Sequence, residues 1–306
     1  MVEVGDLLLA MYGATSGDIA VSKIKGAINQ AILCIRTKQN KKFIESVWNK
    51  HVSKNLRKYL QGGQGNLSAD IVKGISFFFP TLKEQEKIAN LVSLLDERIA
   101  TQNKIIEDLK KLKSAIIEKL YSEIQGKEYS YRQLFDVVNE RNKQMEYSNI
   151  LSASQEKGMI NRDDLNLDIQ FERSNINTYK IVRAGDYVIH LRSFQGGFAF
   201  SDKSGVCSPA YTILRPNSFL EYSYLSNYFT SQRFIKSLII VTYGIRDGRS
   251  INVDEWLSMK ITIPSKEHQQ YIVKIIGSFD RKIESEEAYT ILLSKQKQYI
   301  LCKMFI

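Results

Sequence analysis

The sequence predicts an α+β protein of mixed strands and helices, in which two long antiparallel coiled-coil helices separate globular modules. Three observations predict this fold class: a strand-rich block followed by a long amphipathic segment occurs twice, both long segments carry heptad spacing, and 306 residues suffice for about two domains. We expect a partial first module at 1–80, a first long spacer helix at 81–124, a complete second module at 127–263 and a second long helix at 264–306.

An internal repeat underlies this division of the chain. The repeat predicts one module used twice, whereas the loops between its matched segments differ in sequence, as expected of one scaffold with two specificities. The matching segments are 80–85 with 264–269, 4–9 with 184–189, and 26–31 with 206–211.

The start of each long helix is marked by local signals. Thr81 and Glu84 form a capping-box pattern directly after Pro80, while the second copy keeps Ser265 as N-cap but has His268 in place of the glutamate. Apolar residues then follow a 4-3 spacing, which predicts a helix-to-helix seam. The seam positions are Ile88, Val92, Leu95, Ile99, Ile106 and Leu109 in the first helix, and Ile272, Ile276, Phe279, Ile283, Leu293 and Ile300 in the second.

Polar residues interrupt both seams at matching positions. Gln102 and Lys113 in the first helix correspond to Glu286 and Lys297 in the second, which favours pairing in one defined antiparallel register. The stretch from 88 to 120 would span about 48 Å at 1.5 Å per residue. That length exceeds one turn of B-DNA, about 34–36 Å, the usual separation between half-sites. The alternative is a helical hairpin that packs on its own domain.

Charge and composition indicate a partner that is a polyanion. The net charge is +10; residues 1–82 carry 11 basic and 5 acidic side chains, and residues 129–263 hold 10 of the 14 arginines. Arginine suits phosphates and guanine edges because its planar fork donates two hydrogen bonds at once. Met1 is not followed by a basic-then-apolar signal segment, and no apolar run is long enough to span a membrane. The three scattered cysteines favour a cytosolic protein.

The sequence lacks the motifs that several classes of enzyme require. The glycines at 62, 63 and 65 precede no Gly-Lys-Ser/Thr, and the three histidines lack metal-ligand spacing. The sequence also contains no Asn/Asp-Pro-Pro-Tyr/Phe tetrapeptide, no nuclease carboxylate–lysine cluster and no Gly-x-Ser-x-Gly elbow. We therefore expect a chain that is not an enzyme and that binds neither a metal nor a cofactor.

The run from 80 to 99, Pro-x-x-x-Glu-Gln-x-x-Ile-Ala-x-x-Leu-x-x-Leu-Asp-x-x-Ile, resembles the helical region of type I restriction–modification specificity subunits. Gly185-Asp186, the segment 208–211 and the Gly-rich loop before the second helix resemble their target-recognition domains. The resemblance implies two such domains that each read half of a split double-stranded DNA site. It also implies that the paired helices dock two methyltransferase subunits, that a restriction/translocase subunit joins, and that S-adenosylmethionine and ATP bind to those partners.

The first module departs from the family pattern. About 58 residues precede Gly185-Asp186 in the second module, whereas almost none precede Gly5-Asp6. We expect a first target-recognition domain that lacks roughly its N-terminal half. Such a chain could pair with a second copy, so that two whole 127–263 domains face a palindromic split site. The rival hypothesis is a truncated or silent specificity protein that acts as a coiled-coil decoy or assembly factor without reading DNA; a self-sufficient methyltransferase is a third.

Residue type and loop position select the candidate DNA contacts. Arg and Gln make bidentate contacts to G and A, respectively, while other basic side chains contact phosphates and position the protein. The candidates for base contacts are Arg192, Gln195, Arg246, Arg249, Ser250 and Asn252 in the second module, and Gln61, Gln64 and Asn66 in the first. The candidates for phosphate contacts are Lys203 and Arg173.

Overall fold

A short antiparallel sheet followed by a long helix occurs twice in the computed structural model of the protein. The structure describes residues 1–61, 64–65, 67–154, 157–165, 173–190, 197–243 and 250–304. These residues form two compact units, unit 1 with residues 1–107 and 283–306, and unit 2 with residues 108–282. Each long helix contributes residues to both units.

The elements of the first module and the first long helix lie at the following positions: β1 Leu7–Ala10, β2 Ile19–Val21, β3 Ile32–Ile35, α1 Lys41–Tyr59, β4 Leu60–Gln61, β5 Gln64–Gly65, α2 Ala69–Lys73 and α3 Leu82–Ser122. A short 3-10 turn covers Gly13–Thr15.

The second module and the second long helix follow: β6 Lys127–Ser130, α4 Tyr131–Leu134, β7 Phe135–Val138, β8 Leu151–Ser154, β9 Gly158–Asn161, β10 Lys180–Val182, β11 Tyr187–Ile189, β12 Phe198–Phe200, β13 Gly205–Cys207, β14 Thr212–Pro216, α5 Gln232–Ser237, β15 Thr242–Tyr243, β16 Ser250–Ile251, α6 Val253–Ser258, β17 Lys260–Ile263 and α7 Lys266–Met304. Short 3-10 segments cover Arg162–Leu165, Arg173–Thr178 and Leu238–Val241.

Unit 1 is built on a three-stranded antiparallel sheet in the order β2-β1-β3. The alternation of β1 places Leu7 and Leu9 on the buried face, and Leu9 packs with Trp48 of α1 and with Leu67. A second cluster joins Phe43 of α1 to Val92 of α3. The first module therefore packs directly on the helix that follows it.

Unit 2 contains a four-stranded antiparallel sheet in the order β12-β11-β14-β7, with a core on each face. Tyr187 and Phe198 point into an aromatic core that includes Trp256 of α6 and Ile272 of α7. On the opposite face, Val188 packs in a smaller aliphatic core. The aromatic core ties the sheet to the start of the second long helix.

The two long helices pair in an antiparallel sense within each unit. In unit 1, Lys297 pairs with Asp96, and Gln102 donates a hydrogen bond to Glu286. In unit 2, Lys113 pairs with Asp280. All twelve predicted seam positions are buried or half-buried. The predicted fold class, α+β with two long antiparallel helices, is confirmed.

The predicted difference between the two helix starts has a structural counterpart. The Thr81 backbone N–H donates to Oε2 of Glu84 over 3.1 Å, and the Glu84 N–H donates to the Thr81 hydroxyl over 3.4 Å. At the second helix, the N–H of His268 donates to the hydroxyl of Ser265 over 3.3 Å. Among the helices described, none is long and apolar enough to cross a membrane.

Candidate nucleic-acid interface

A glycine–aspartate corner fixes the sheet of the second module. Gly185 has a φ of 100°, a left-handed conformation that favours glycine, and it turns the chain into β11. The buried carboxylate of Asp186 accepts a hydrogen bond from the N–H of Arg183 over 2.8 Å and from Nε of Arg215 over 3.0 Å. Arg215 also reaches Glu140 over 3.1 Å, and this contact lowers the pKa of Glu140. The corner is therefore a structural network built around one buried carboxylate.

The same corner occurs in the first module. Gly5 has a φ of 87°, and the carboxylate of Asp6 accepts from the N–H of Glu3 over 3.0 Å and from Nε of Arg36 over 3.1 Å. The hydrogen bond from the Glu3 backbone is the largest contribution that lowers the pKa of Asp6, followed by the bond from Arg36. The repeated Gly-Asp pair thus preserves the geometry of the sheet.

Both loops that carry the predicted Arg and Gln base contacts connect the strands of antiparallel hairpins. Ile189 of β11 pairs with Phe198 of β12, and these strands flank residues 191–196, which contain Arg192 and Gln195. Tyr243 of β15 pairs with Ser250 of β16, and these strands flank residues 244–249, which contain Arg246 and Arg249. These four predicted contacts lie outside the described residues.

One aromatic core anchors the two hairpins. The ring of Phe198 lies 5.0 Å from that of Trp256 and 5.0 Å from that of Phe234, measured between centroids. Ile189 and Val241, which lies directly before β15, belong to the same buried cluster. Because one packed core holds the strands that flank both loops, the two hairpins share a rigid base.

The remaining predicted contacts of the second module occupy different structural positions. The Oδ1 of Asn252 accepts a hydrogen bond from the N–H of Glu255 over 3.3 Å, and its Nδ2 donates to the Glu255 carboxylate over 2.8 Å, so this side chain caps α6. Lys203 is exposed in the turn after β12. Ser250 begins β16 and Arg173 begins a 3-10 segment; their side chains are outside the described part of the chain.

In the first module, two of the three predicted contacts lie on one hairpin, and their side chains are outside the described part of the chain. Gln61 of β4 pairs with Gln64 of β5, and Asn66, outside the described residues, follows them. Leu67 anchors this end of the hairpin because it is buried in the core and its N–H donates to the carbonyl of Met11 over 2.8 Å.

Some of the ten arginines of residues 129–263 form ion pairs within the module. Arg183 and Arg215 belong to the network around Asp186, and Arg132 pairs with Asp254 over 3.1 Å. The sequence does not reveal these ion pairs, since a distant carboxylate partner cannot be assigned from spacing. His190, directly before the loop 191–196, has its pKa lowered by burial, which favours the neutral imidazole.

A buried glutamine joins the second module to its helix, and sequence reasoning missed this role. Gln269, only 1% exposed, accepts a hydrogen bond from the N–H of Glu221 over 2.8 Å. Its Nε2 donates to the carbonyl of Phe219 over 3.0 Å and to that of Pro264 over 3.1 Å. The repeated Glu/His-Gln dipeptide was the available sequence signal.

Gln85 has the same role in the first module. It accepts from the N–H of Asn40 over 3.0 Å and donates to Oε1 of Gln39 over 2.7 Å and to the carbonyl of Pro80 over 2.9 Å. Each module is therefore fixed to the first turn of its own long helix by an equivalent buried amide. Within the described residues, no three His, Cys, Asp or Glu side chains are grouped to hold a metal ion.

The fold and the repeated joints define a class of protein: a recognition module used twice, with each copy fixed to one helix of an antiparallel pair. A family model of the type I restriction modification DNA specificity domain matches residues 2–111 and 126–293. The chain belongs to this family and is a type I specificity subunit.

Similar proteins agree with this assignment. The type I restriction enzyme MjaVIII specificity subunit of Methanocaldococcus jannaschii is 24% identical, with 98% of this chain and 78% of that protein covered. A structure on complex assembly and conformational transition of the type I R-M system has a TM-score of 0.66 at 16% identity, covering 99% of this chain and 82% of its own. The type I S subunit from M. genitalium has a TM-score of 0.53 at 14% identity, with 99% and 83% covered.

Proposed function

We propose that this specificity subunit reads a split double-stranded DNA site and docks methyltransferase subunits through its two long helices. The chain itself is non-catalytic. A restriction/translocase subunit completes the complex, and S-adenosylmethionine and ATP bind to the partner subunits.

The observation that carries the proposal is the repeated joint between module and helix. Gln85 and Gln269 make equivalent hydrogen bonds at equivalent positions, so each module is held rigidly on the helix that follows it. A joint that moved freely would not fix the direction in which a module presents its loops. A fixed joint supports the reading of base edges, because bidentate contacts require the donor fork to be oriented.

The surface of the helices supports the docking part of the proposal. On α3, Leu91, Ile105 and Leu112 are exposed at multiples of seven residues, and Leu94 is 63% exposed. These residues lie outside the buried seam of α3 and form a second stripe of exposed apolar residues, which Arg98 interrupts. Partner helices bind such stripes through heptad packing.

A binding experiment on the complex tests DNA reading. Methylome sequencing of cells that express the chain with its methyltransferase partner first identifies the site, and fluorescence anisotropy then compares that site with altered sequences. The double variant Arg246→Ala/Arg249→Ala should reduce discrimination by about 1–3 kcal/mol per lost base contact. Arg132→Ala is the matched control, because Arg132 already pairs with Asp254 inside the module. Equal affinity of the wild-type complex for all DNA sequences would exclude the reading function.

Docking is tested separately by co-purification with the methyltransferase subunits. The variant Leu91→Asp/Ile105→Asp should lose the partner, since it places charges in the apolar stripe. Asn103→Asp adds a charge to an exposed polar position of the same helix and should retain the partner. Retention of the partner by the double variant would contradict docking through this stripe.

A second candidate function is a decoy or assembly factor that binds the methyltransferase without reading DNA. The observation that favours it is the smaller sheet of the first module, three strands against four in the second. The decoy hypothesis predicts capture of the partner with no preference among DNA sequences, so the same two experiments separate the candidates.

A further inference from the structure

An open groove of about 650 Å³ lies in unit 2, where the end of α3 meets α5. Six polar side chains line it, three from each helix: Glu118, Lys119 and Ser122 of α3, and Gln232, Arg233 and Lys236 of α5. All of them except Glu118 are exposed. The groove is therefore accessible to a partner as large as a macromolecule.

The groove has an excess of positive charge that the module itself does not neutralise. Lys119, Arg233 and Lys236 are cationic, and none of them forms an ion pair with a carboxylate within the described part of the chain. They differ in this from Arg132, which pairs with Asp254 over 3.1 Å. Unpaired cations on the two walls of one groove favour an anionic partner.

The acidic residue that lines the groove, Glu118, joins its two walls. Its Oε1 accepts a hydrogen bond from the backbone N–H of Gln232 over 2.8 Å and from that of Arg233 over 3.3 Å. This carboxylate is thus used to hold the start of α5 against α3. The positions from which the three cationic side chains extend are therefore fixed relative to one another.

Helix α5 also connects the groove to the bases of both hairpin loops. The ring of Phe234 lies 5.0 Å from that of Phe198, which begins β12 after the loop 191–196. The chain then runs from α5 through the 3-10 segment Leu238–Val241 into β15, which precedes the loop 244–249. The groove therefore lies beside the strands that flank the two loops.

The side chains of the groove suit the phosphates of a DNA backbone. Phosphate oxygens in protein–DNA complexes accept hydrogen bonds from Arg and Lys and from polar side chains such as Ser and Gln. Five of the six lining residues are of these types. A duplex whose bases are read by the loops presents a phosphate about every 3.4 Å along each strand, so its backbone continues past the loops over neighbouring parts of the module.

We propose that the groove between α3 and α5 binds the phosphate backbone of duplex DNA and positions the duplex against the hairpin loops, with Lys119, Arg233 and Lys236 as the phosphate contacts. This inference rests on the proposed DNA-reading function. Phosphate contacts carry no sequence information, so the groove contributes affinity and orientation but no discrimination. Because α3 forms one wall, the contact also fixes the duplex relative to the end of that helix.

The experiment measures DNA affinity against salt concentration for the chain in complex with its methyltransferase partner. The probes are two labelled duplexes of equal length, one with the site that methylome sequencing identifies and one with an unrelated sequence. Each lost phosphate contact lowers the slope of log K against log salt by about 0.9, so Lys119→Gln/Lys236→Gln should lower it by about 1.8 for both duplexes. The affinity ratio of wild type to variant should then be about tenfold larger at about 50 mM than at about 200 mM salt, with discrimination between the duplexes unchanged.

Two further double variants serve as controls. Lys143→Gln/Lys274→Gln removes the same charge from exposed positions of unit 2 outside the groove and should leave the slope near that of wild type. Lys119→Arg/Lys236→Arg keeps both charges and should also keep the slope. Thermal unfolding of Lys119→Gln/Lys236→Gln should match that of wild type, because both side chains are exposed.

The outcomes separate this inference from the function on which it rests. Failure of the wild-type complex to bind either duplex would overturn the DNA-reading function and the groove together. Specific binding by wild type, with equal slopes for Lys119→Gln/Lys236→Gln and Lys143→Gln/Lys274→Gln, would overturn the groove alone. Lost discrimination in the groove variant would assign its lysines to base reading, and a lowered slope in Lys119→Arg/Lys236→Arg would show that charge is not what the groove supplies; either result contradicts the proposal.

Discussion

The buried amide of Gln269 should determine how firmly the second module is held on α7. The substitution Gln269→Leu introduces an apolar side chain of similar size and removes the hydrogen bonds to Glu221, Phe219 and Pro264. Each bond contributes about 1 kcal/mol net, and the three backbone groups would be left without this partner, so we expect a loss of about 3 kcal/mol from unit 2. With a urea m-value of about 2 kcal/mol per M, the midpoint should fall by about 1.5 M.

Tryptophan fluorescence isolates this effect, because the chain has 2 tryptophans, one in each module. In a Trp48→Phe background, the remaining Trp256 reports on the core of unit 2. Urea titrations compare that background with and without Gln269→Leu. Gln85→Leu is the matched control, since its amide acts in unit 1 and should leave the Trp256 transition in place. A Gln269→Leu shift below about 0.5 kcal/mol, or an equal shift from Gln85→Leu, would refute a local role for the amide.

Two further predictions concern the helix pair and the start of the second module. Burial alone would raise the pKa of Asp96, but hydrogen bonds from Lys297 and Lys42 outweigh it and leave the pKa below the ordinary 3.8. The stability that Asp96 contributes is therefore present at neutral pH and is lost as pH falls through the folded pKa. The urea midpoints of wild type and Asp96→Asn should differ at pH 7 and converge as the pH falls below the folded pKa of Asp96, whereas the exposed Asp70→Asn should change the midpoint at neither pH. Gly126→Ala should destabilise unit 2 by about 3 kcal/mol or more in thermal unfolding, because the added Cβ would lie 2.1 Å from the backbone oxygen of Ile263. Gly26→Ala is the control and should have little effect, because its added Cβ would meet no atom within 4 Å. Equal melting temperatures for the two variants would contradict this packing argument.

Local signals were predictable from the sequence, whereas long-range partners were not. The capping box of Thr81 and Glu84 depends on residues three positions apart, so its pattern specifies its contacts. The Gly-Asp repeat was visible, but Asp186 finds its arginine 29 positions away, and no spacing rule identifies that partner. The candidate DNA contacts show the same division: a helix cap accounts for the described contacts of Asn252, while the loops that carry the predicted arginines and Gln195 lie outside the described residues.

Polar residues within the helix seam explain why the two long helices pair in one register. Lys113 faces Asp280 in unit 2, and the equivalent pair, Lys297 with Asp96, recurs in unit 1. An antiparallel shift of one heptad would place Asp280 opposite Leu120 or Ile106, according to its direction. Either shift would leave a carboxylate and a lysine without their partners in a partly desolvated seam, whereas a purely apolar seam would tolerate the shift. The polar positions therefore disfavour the shifted registers, and in each unit they fix the register in which the helix segments pair.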